Sequence, residues 1–302
     1  MAAAALLATT ASSRATAPPT IAGCPVFPAD NPWNQRVDAL PVAADSDRIV
    51  AAIGPDDHAH ADFGSGLWEG APIGIPITVV SRATPKTRVA FEYASESDRG
   101  PYPIPAGVKI EGAPKPDGDR HAILLDRDSC LLYELFALRR SGGRWTAGSG
   151  AIWSLRSNKL RPETWTSADA AGLPILPGLA RYEEVRSGRI EHALRITVER
   201  TRRAYVWPAR HFASSETDPA LPPMGLRLRL KASFAIDRFP PQARVVLRAV
   251  KEYGVIVADN GSNWYVTGAP HRGWDNDDLH SLHDVPGSAF EVVDTSALPR
   301  PR

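Results

Sequence analysis

Two continuous apolar runs, separated by a short polar segment, form the clearest pattern in the chain. The runs cover residues 121–125 and 130–136, and residues 126–129 between them have the composition of a turn. Neither run alternates between apolar and polar positions. Strands of this kind are covered by protein on both faces, so the sequence predicts a β-hairpin at the centre of a sheet.

The same hairpin sets a histidine opposite a carboxylate. With a four-residue loop, Leu125 pairs with Cys130, and His121 then faces Glu134 across the ladder. A carboxylate beside an imidazole stabilises its protonated form and orients the ring, as a general acid or base requires. A three-residue loop shifts the register and puts Glu134 beside Ala122 instead. The pair therefore depends on the length of the loop.

Alternating patterns predict further strands. In residues 189–200, His192 shares an apolar face with Leu194, whereas Arg195 points to the opposite face. Residues 224–232 alternate leucine with Arg227, Arg229 and Lys231, which predicts a row of cations facing solvent. We expect other short strands at residues 74–80, 88–93, 204–207, 255–258, 264–267 and 290–293. The polar residues 259–263 predict a turn that joins two of these strands as a hairpin.

Helical spacing of apolar residues is confined to a few segments. It predicts helices at residues 46–53 and 240–253, and shorter ones at 166–171 and 177–186. The 28 prolines and 23 glycines are spread without a period, which is typical of a loop-rich β protein. We therefore predict a mostly β fold: a single antiparallel β-sandwich or jelly-roll-like domain over residues 24–302, with a few short covering helices.

Charge and composition narrow the possible partners. The formal net charge is +1, from 35 basic and 34 acidic residues, so no overall field predicts binding to nucleic acid. No apolar run approaches the roughly 18 to 20 residues of a transmembrane helix. Residues 1–23 are rich in alanine and small polar residues, so we expect a leader or a disordered segment there and a secreted, extracellular protein.

The chain has two cysteines, Cys24 and Cys130. In an exported protein an even number of cysteines favours a disulfide, which here ties the N-terminal arm to the central hairpin. Two buried free thiols are the alternative interpretation.

Three histidines are the main candidates for chemistry. His121, His192 and His211 lie in or next to predicted strands. If those strands are neighbours, the three rings and Glu134 converge as a catalytic acid–base site on a concave sheet. Each ring taken alone also fits a structural, hydrogen-bonded histidine. The same three histidines predict, as an alternative, a tetrahedral site for a divalent metal such as zinc; the acid–base hypothesis requires no cofactor.

Aromatic and basic side chains suggest a sugar polymer as the partner. Tyr133, Tyr205 and Trp207 are candidates for stacking on sugar rings. Arg227 and Arg229 would contact an anionic polysaccharide, although a solvated face balanced by glutamates explains the same pattern.

Three further polar segments carry weaker signals. The loop with His58 and His60 is interpreted as solvated rather than as a metal cluster. Glu96 and Asp98 form an acidic pair on a turn of undefined geometry. Asp259 could serve catalysis, but turn chemistry alone explains its position.

These observations support three hypotheses. The first is a secreted enzyme that degrades polysaccharide, as a lyase or a glycoside hydrolase, by acid–base chemistry of histidine and carboxylate in a groove. The second is a secreted carbohydrate-binding or structural β-sandwich without catalysis. The third is a metal-dependent enzyme that uses the three histidines.

Overall fold

The computed structural model describes residues 17–301. This part of the chain contains four α-helices: α1 (Ser46–Ile53), α2 (Tyr182–Arg186), α3 (Pro241–Glu252) and α4 (Asn276–His280). Short 3₁₀ turns lie at Pro32–Asn34, Ala94–Glu96, Leu176–Gly178, Ser281–Asp284 and Gly287–Ala289. Its strands are β1 (Thr20–Ile21), β2 (Cys24–Pro25), β3 (His60–Asp62), β4 (Leu67–Trp68), β5 (Ala71–Pro72), β6 (Ile77–Val80), β7 (Val89–Phe91), β8 (Ala122–Asp126), β9 (Leu131–Phe136), β10 (Arg139–Ser141), β11 (Arg144–Ala147), β12 (Ser149–Ser154), β13 (Leu194–Val198), β14 (Arg227–Leu230), β15 (Val255–Asn260), β16 (Tyr265–Thr267) and β17 (Phe290–Val292).

Two sheets form the frame of the molecule. The larger has six strands in the order β17-β14-β15-β13-β16-β3, and the smaller has four in the order β12-β9-β8-β6. A three-stranded sheet, β10-β11-β7, and two hairpins, β1-β2 and β4-β5, complete the strand pairing. Strand residues make up 26% and helical residues 16%, which confirms the prediction of a mostly β protein.

The sheets are mixed, not antiparallel as predicted. β13 runs parallel to β15, β16 to β3, β6 to β8 and β11 to β7. Long connections permit these parallel pairs; α3, for example, lies between β13 and β15. The predicted hairpin of residues 255–267 is also wrong, because β13 lies between β15 and β16 and pairs with both.

The central hairpin β8-β9 is confirmed, and both of its faces are buried. Ile123 and Leu125 belong to one hydrophobic cluster, whereas Ala122 and Leu124 belong to another on the opposite face. The turn has four residues, as predicted, but lies one position later, because Asp126 pairs with Leu131.

The shift in the turn changes the partner of Glu134. Glu134 is opposite Ile123, two positions from the predicted partner His121. Since side chains alternate with a period of two, His121 and Glu134 remain on the same side of the sheet without facing each other directly.

The helix predictions succeed where the apolar stripe is long. α1 has the predicted bounds and α3 matches its segment closely. Residues 166–171 are not helical, and only Tyr182–Arg186 of the predicted segment 177–186 forms an α-helix. None of the helices within residues 17–301 is long and apolar enough to cross a membrane.

Cys24 and Cys130 form a disulfide, which confirms one of the two interpretations of these residues. The bond closes a separation of 106 residues and links β2 to the turn of the central hairpin. The predicted leader lies partly outside the described residues, because residues 1–16 are not among them. Residues 20–25 form the hairpin β1-β2, so the predicted boundary at residue 24 falls within an ordered element.

One face of the six-stranded sheet is polar across four neighbouring strands. The side chain of Arg195 on β13 contacts Asp259 on β15 and Thr267 on β16. Thr267 pairs in turn with Asp62 on the edge strand β3. The opposite face is apolar and packs against α1 and α3 in the largest hydrophobic cluster. The polar side chains therefore lie on the face of the sheet that does not pack against α1 and α3.

Candidate functional site

An acidic cleft opens beside this polar face, between the two main sheets. Its volume is about 390 Å³, which lies within the range of roughly 300 to 1,000 Å³ that is usual for small-ligand sites. The cleft is lined by four acids and a histidine, together with aromatic and small residues. The acids and the histidine are Glu96, Asp119, Asp169, Asp259 and His211.

Two of the acids share one guanidinium group. Arg195 donates from Nε and Nη2 to the two carboxylate oxygens of Asp169, at 2.9 and 2.8 Å. Its Nη2 also donates to Oδ2 of Asp259 at 3.1 Å, and its Nη1 donates to Oγ1 of Thr267 at 2.8 Å. Because one nitrogen contacts both carboxylates, the two acids are held close together in a fixed geometry.

The two acids differ in their access to solvent. The side chain of Asp169 is fully buried, whereas 24% of the Asp259 side chain is exposed. Burial, and then the negative charge of Asp169, raise the pKa of Asp259 to about 7, although Arg195 acts in the opposite direction. Of the two acids, Asp259 is thus the one that can carry a proton near neutral pH and is also accessible from the cleft.

A histidine and a glutamate form a second group on the cleft. Nδ1 of His211 lies 2.8 Å from the carbonyl oxygen of Ala170, which assigns the proton to this nitrogen. Its Nε2 lies 4.0 Å from Oε2 of Glu96. Glu96 is oriented by the backbone N–H of Thr166 at 3.0 Å. Both side chains are partly exposed, so a molecule bound in the cleft can reach them.

His121 has a carboxylate partner, but it is Glu111 rather than Glu134. Nδ1 of His121 lies 2.5 Å from Oε2 of Glu111, and Nε2 donates to the carbonyl oxygen of Ala168 at 3.0 Å. Burial alone would lower the pKa of His121, but the charge and hydrogen bond of Glu111 outweigh it and raise the pKa to about 9. With both nitrogens bound, the protonated ring anchors the segment that carries Asp169.

Glu134 lies beneath the cleft and is completely buried. Its carboxyl group accepts hydrogen bonds of 2.8 to 3.0 Å from the backbone N–H groups of Ile175 and Leu176. Burial raises the pKa of Glu134 to about 7, even though these hydrogen bonds favour the charged form. Glu134 thus supports the loop over the sheet and does not line the cleft.

Replacing Glu134 by glutamine is expected to remove part of the pH dependence of stability. A glutamate whose pKa is raised on folding contributes stability that is complete below its unfolded pKa, near 4.3, and is lost as the pH rises through about 7. The free energy of unfolding of Glu134→Gln, relative to wild type, should therefore increase by roughly 2 to 3 kcal/mol between pH 4.5 and pH 8. Urea unfolding at both pH values measures this change.

The exposed Glu92 provides the matched control, because its side chain is not buried. Glu92→Gln should show the same pH dependence as the wild type. A constant difference in unfolding free energy between Glu134→Gln and the wild type would contradict a raised pKa at this position.

His192 belongs to a separate buried cluster. Its Nε2 lies 3.2 Å from Oε2 of Glu184 on α2, and its Nδ1 lies 2.8 Å from the carbonyl oxygen of Ala193. The three histidines predicted to converge therefore have different partners. Within residues 17–301 no group of three or more potential ligands is arranged to hold a metal ion, so the three-histidine site is not assembled.

The predicted row of solvent-facing cations is wrong for Arg227 and Arg229, whereas Lys231 is partly exposed and donates to the carbonyl oxygen of Ser288. Arg227 is buried and donates to the backbone carbonyl oxygens of Tyr253, Pro32 and Gln35, and burial lowers its pKa to about 9. Arg229 is buried as well, where it contacts Glu291 and two backbone carbonyl groups. Segments packed over this strand cover the face that the alternating pattern assigned to solvent, so these guanidinium groups bind protein rather than an anionic polymer.

The three aromatic residues predicted to stack on sugars do not line the cleft. Tyr133 is buried, and its hydroxyl accepts a hydrogen bond from Lys86. Tyr205 stacks on Phe212, and Trp207 lies under Arg300. The aromatic side chains on the cleft are instead Tyr93 and Phe136.

Of the two acids that share Arg195, sequence reasoning set Asp259 aside as a turn residue and missed Asp169. Asp259 directly follows the apolar residues 255–258, and a carboxylate at the end of a buried strand is a signal for a functional site. The signal was discounted because aspartate is also common in turns. Asp169 lies in a segment interpreted as helical and gives no comparable signal. Asp119 lies between the proline-rich stretch and the hairpin and also went unnoticed.

Comparisons with known proteins add no constraint. No protein-family model matches the chain, and the searches of curated proteins and of solved structures give no match either. The functional interpretation therefore rests on the chemistry of the cleft.

Proposed function

We propose that this protein is a glycoside hydrolase that cleaves a polysaccharide in the acidic cleft, with Asp259 as the general acid. The observation that carries the proposal is the pair of acids on Arg195, in which the solvent-accessible member has its pKa raised to about 7. A carboxylic acid that is still protonated near neutral pH is what protonation of a glycosidic oxygen requires.

Glycosidases commonly use a second carboxylate beside the general acid. Glu96 serves as this second group in the proposal, and His211 assists it. Both side chains line the cleft, and Nε2 of His211 lies 4.0 Å from Oε2 of Glu96. Two acceptors at this separation can together orient an attacking water and take up its proton.

The charges on the cleft favour hydrolysis over elimination. Elimination from a uronate needs a cation to neutralise the substrate's carboxylate. The guanidinium of Arg195 is already paired with Asp169 and Asp259. Glu96 and Asp119 add two further carboxyl groups to the lining. An anionic polymer would therefore be repelled, so a neutral polysaccharide is the proposed substrate.

An exposed aromatic ring on the cleft supports a sugar ligand. The side chain of Tyr93 is 48% exposed, although large apolar surfaces are more often buried. The flat face of a tyrosine packs against the apolar face of a sugar ring, while its hydroxyl remains in water. Export to an extracellular environment is part of the proposal, and the Cys24–Cys130 disulfide supports it because such bonds persist under oxidising conditions.

A panel of soluble polysaccharides, read by two assays, tests the proposal. Neutral glucans, xylans and mannans are compared with polyuronates, and new reducing ends and ultraviolet-absorbing unsaturated ends are both measured. We expect reducing ends from at least one neutral polymer, without unsaturated ends. Unsaturated products from a polyuronate would contradict hydrolysis and show that the enzyme cleaves by elimination. The absence of cleavage throughout the panel would leave a non-catalytic binding protein as the better interpretation.

A further inference from the structure

A second cavity, of about 490 Å³, lies at the edge of the six-stranded sheet. It is lined by His60 and Asp62 of β3, by Tyr265 of β16 and by Trp68 of the β4-β5 hairpin. Side chains from α4 and the following turn, including His280 and His283, close one wall. In the described chain it has no lining residue in common with the acidic cleft.

Trp68 gives this cavity an open aromatic face. Its side chain is 71% exposed, and the neighbouring Leu67 on the same hairpin is 66% exposed. Leaving a tryptophan in water forgoes the stabilisation that burial of its large apolar area provides. A tryptophan held on a hairpin beside a cavity is therefore placed to cover the apolar face of a ligand rather than to stabilise the core.

Two imidazole rings on the opposite wall are polar and uncharged near neutral pH, and Asp62 lies beside them. His60 stacks on Tyr265 with ring centres 4.3 Å apart, and its Nδ1 lies 2.5 Å from Nε2 of His283. Burial and the neighbouring histidines lower the pKa of His60 and of His283, so both rings are neutral. Neutral imidazole donates and accepts hydrogen bonds, which suits the hydroxyl groups of a sugar better than a charged ligand.

The cavity lies at the edge strand β3 and adjoins the polar face of the sheet beside which the cleft opens. Asp62 pairs with Thr267, and Thr267 accepts a hydrogen bond from Arg195, which holds Asp259. Three strand spacings separate β3 from β15 in the order of the sheet, which corresponds to roughly 14 Å. Thr267 and Arg195 are themselves buried, but Asp62 on the cavity and Asp119 on the cleft are both exposed, and Asp119 is near enough to contribute to the raised pKa of Asp62. An extended polymer of sugar rings that follows this surface can reach both places, whereas a single ring cannot.

We propose that this cavity is a distal sugar-binding subsite, in which Trp68 stacks on a ring of the same polysaccharide chain that is cleaved at Asp259. The inference rests on the proposed function and adds that the enzyme cleaves long polysaccharide chains at internal glycosidic bonds. Short oligosaccharides that fill only the cleft do not use this subsite.

Trp68→Ala tests the subsite, with Leu67→Ala as the matched control. Both residues are exposed on the same hairpin, but only Trp68 lines the cavity. We expect Trp68→Ala to raise KM about tenfold on the polymer, the equivalent of about 1.4 kcal/mol. Its kcat/KM on a short oligosaccharide of the same linkage should equal that of the wild type. Leu67→Ala should match the wild type on both substrates, and equal KM values for the two variants on the polymer would overturn the subsite.

Binding without turnover separates this inference from the proposed function. In native gels that contain the polysaccharide, we expect the wild type to be retarded and Trp68→Ala to migrate close to its position in a gel without polymer. Retardation of the wild type without any cleavage would contradict hydrolysis but leave the subsite intact. Cleavage with equal retardation of Trp68→Ala would contradict the subsite alone, and a wild type that is neither retarded nor active would contradict both.

Discussion

Asp259→Asn is expected to lower kcat on the polysaccharide by a factor on the order of 10² to 10⁴, the contribution usual for a positioned general acid. Asparagine has nearly the same shape and still accepts a hydrogen bond from Arg195 through its carbonyl oxygen. It cannot deliver a proton to the leaving oxygen. The change should therefore remove catalysis and leave the fold and the binding of substrate largely intact, as measured by initial rates and thermal unfolding.

The pH profile provides an independent readout of the same residue. A general acid works in its protonated form, and the pKa of Asp259 is about 7. Activity of the wild type should therefore fall as the pH rises through about 7, and the residual activity of Asp259→Asn should lack this decline. Asp237→Asn, at an exposed aspartate away from the cleft, is the control and should retain wild-type rates and the wild-type profile. Unchanged rates in Asp259→Asn would rule out the general-acid role.

Arg195→Met is expected to lower the free energy of unfolding by roughly 3 to 5 kcal/mol, the cost of leaving a buried charge without its partner. The guanidinium makes four hydrogen bonds to Asp169, Asp259 and Thr267. Asp169 has a fully buried side chain and has no water to replace the lost cation. The loss is a large fraction of the 5 to 15 kcal/mol typical of a folded domain, and urea unfolding measures it.

A second substitution distinguishes charge from packing. Asp169→Asn in the Arg195→Met background removes the uncompensated charge and should restore part of the lost stability, a coupling that a double-mutant cycle quantifies. Arg200→Met is the control, since the ion pair of Arg200 with Glu216 is exposed and its loss should cost less than about 1 kcal/mol. If Asp169→Asn adds to the loss instead of reversing it, the cluster is held together by packing rather than by its charges.

The sequence predicts local structure well where one physical signal dominates. The hairpin of residues 121–136 has continuous apolar runs, and α3 has a long apolar stripe with proline at its start, so the structure confirms both. The pairing of distant strands has no such local signal. β13 separates β15 from β16 because of packing across the whole sheet, and residues near 260 suggest only a turn.

The candidate site was predicted less well. Alternation of apolar and polar residues shows which side chains share a face of a strand, but it does not show which other segments cover that face. Arg195, Arg227 and Arg229 all alternate with apolar residues, which is the pattern of a solvated strand face. Segments distant in sequence cover that face and supply carboxylates or carbonyl groups to each guanidinium. For the same reason the partner of His121 is Glu111, a residue outside the hairpin whose contact no local pattern indicates.

The position of β13 between β15 and β16 also constrains when the site can form during synthesis. Arg195 and Asp169 are made well before Asp259 and Thr267, the residues that complete their hydrogen bonds. A ribosome-bound chain that ends before residue 255 thus lacks both neighbours of β13, and one that ends before residue 265 still lacks β16. Non-local pairing of this kind slows folding, typically to milliseconds or longer. Assembly of the acidic pair therefore follows synthesis of Asp259, and its hydrogen bonding is complete only after Thr267 has been made.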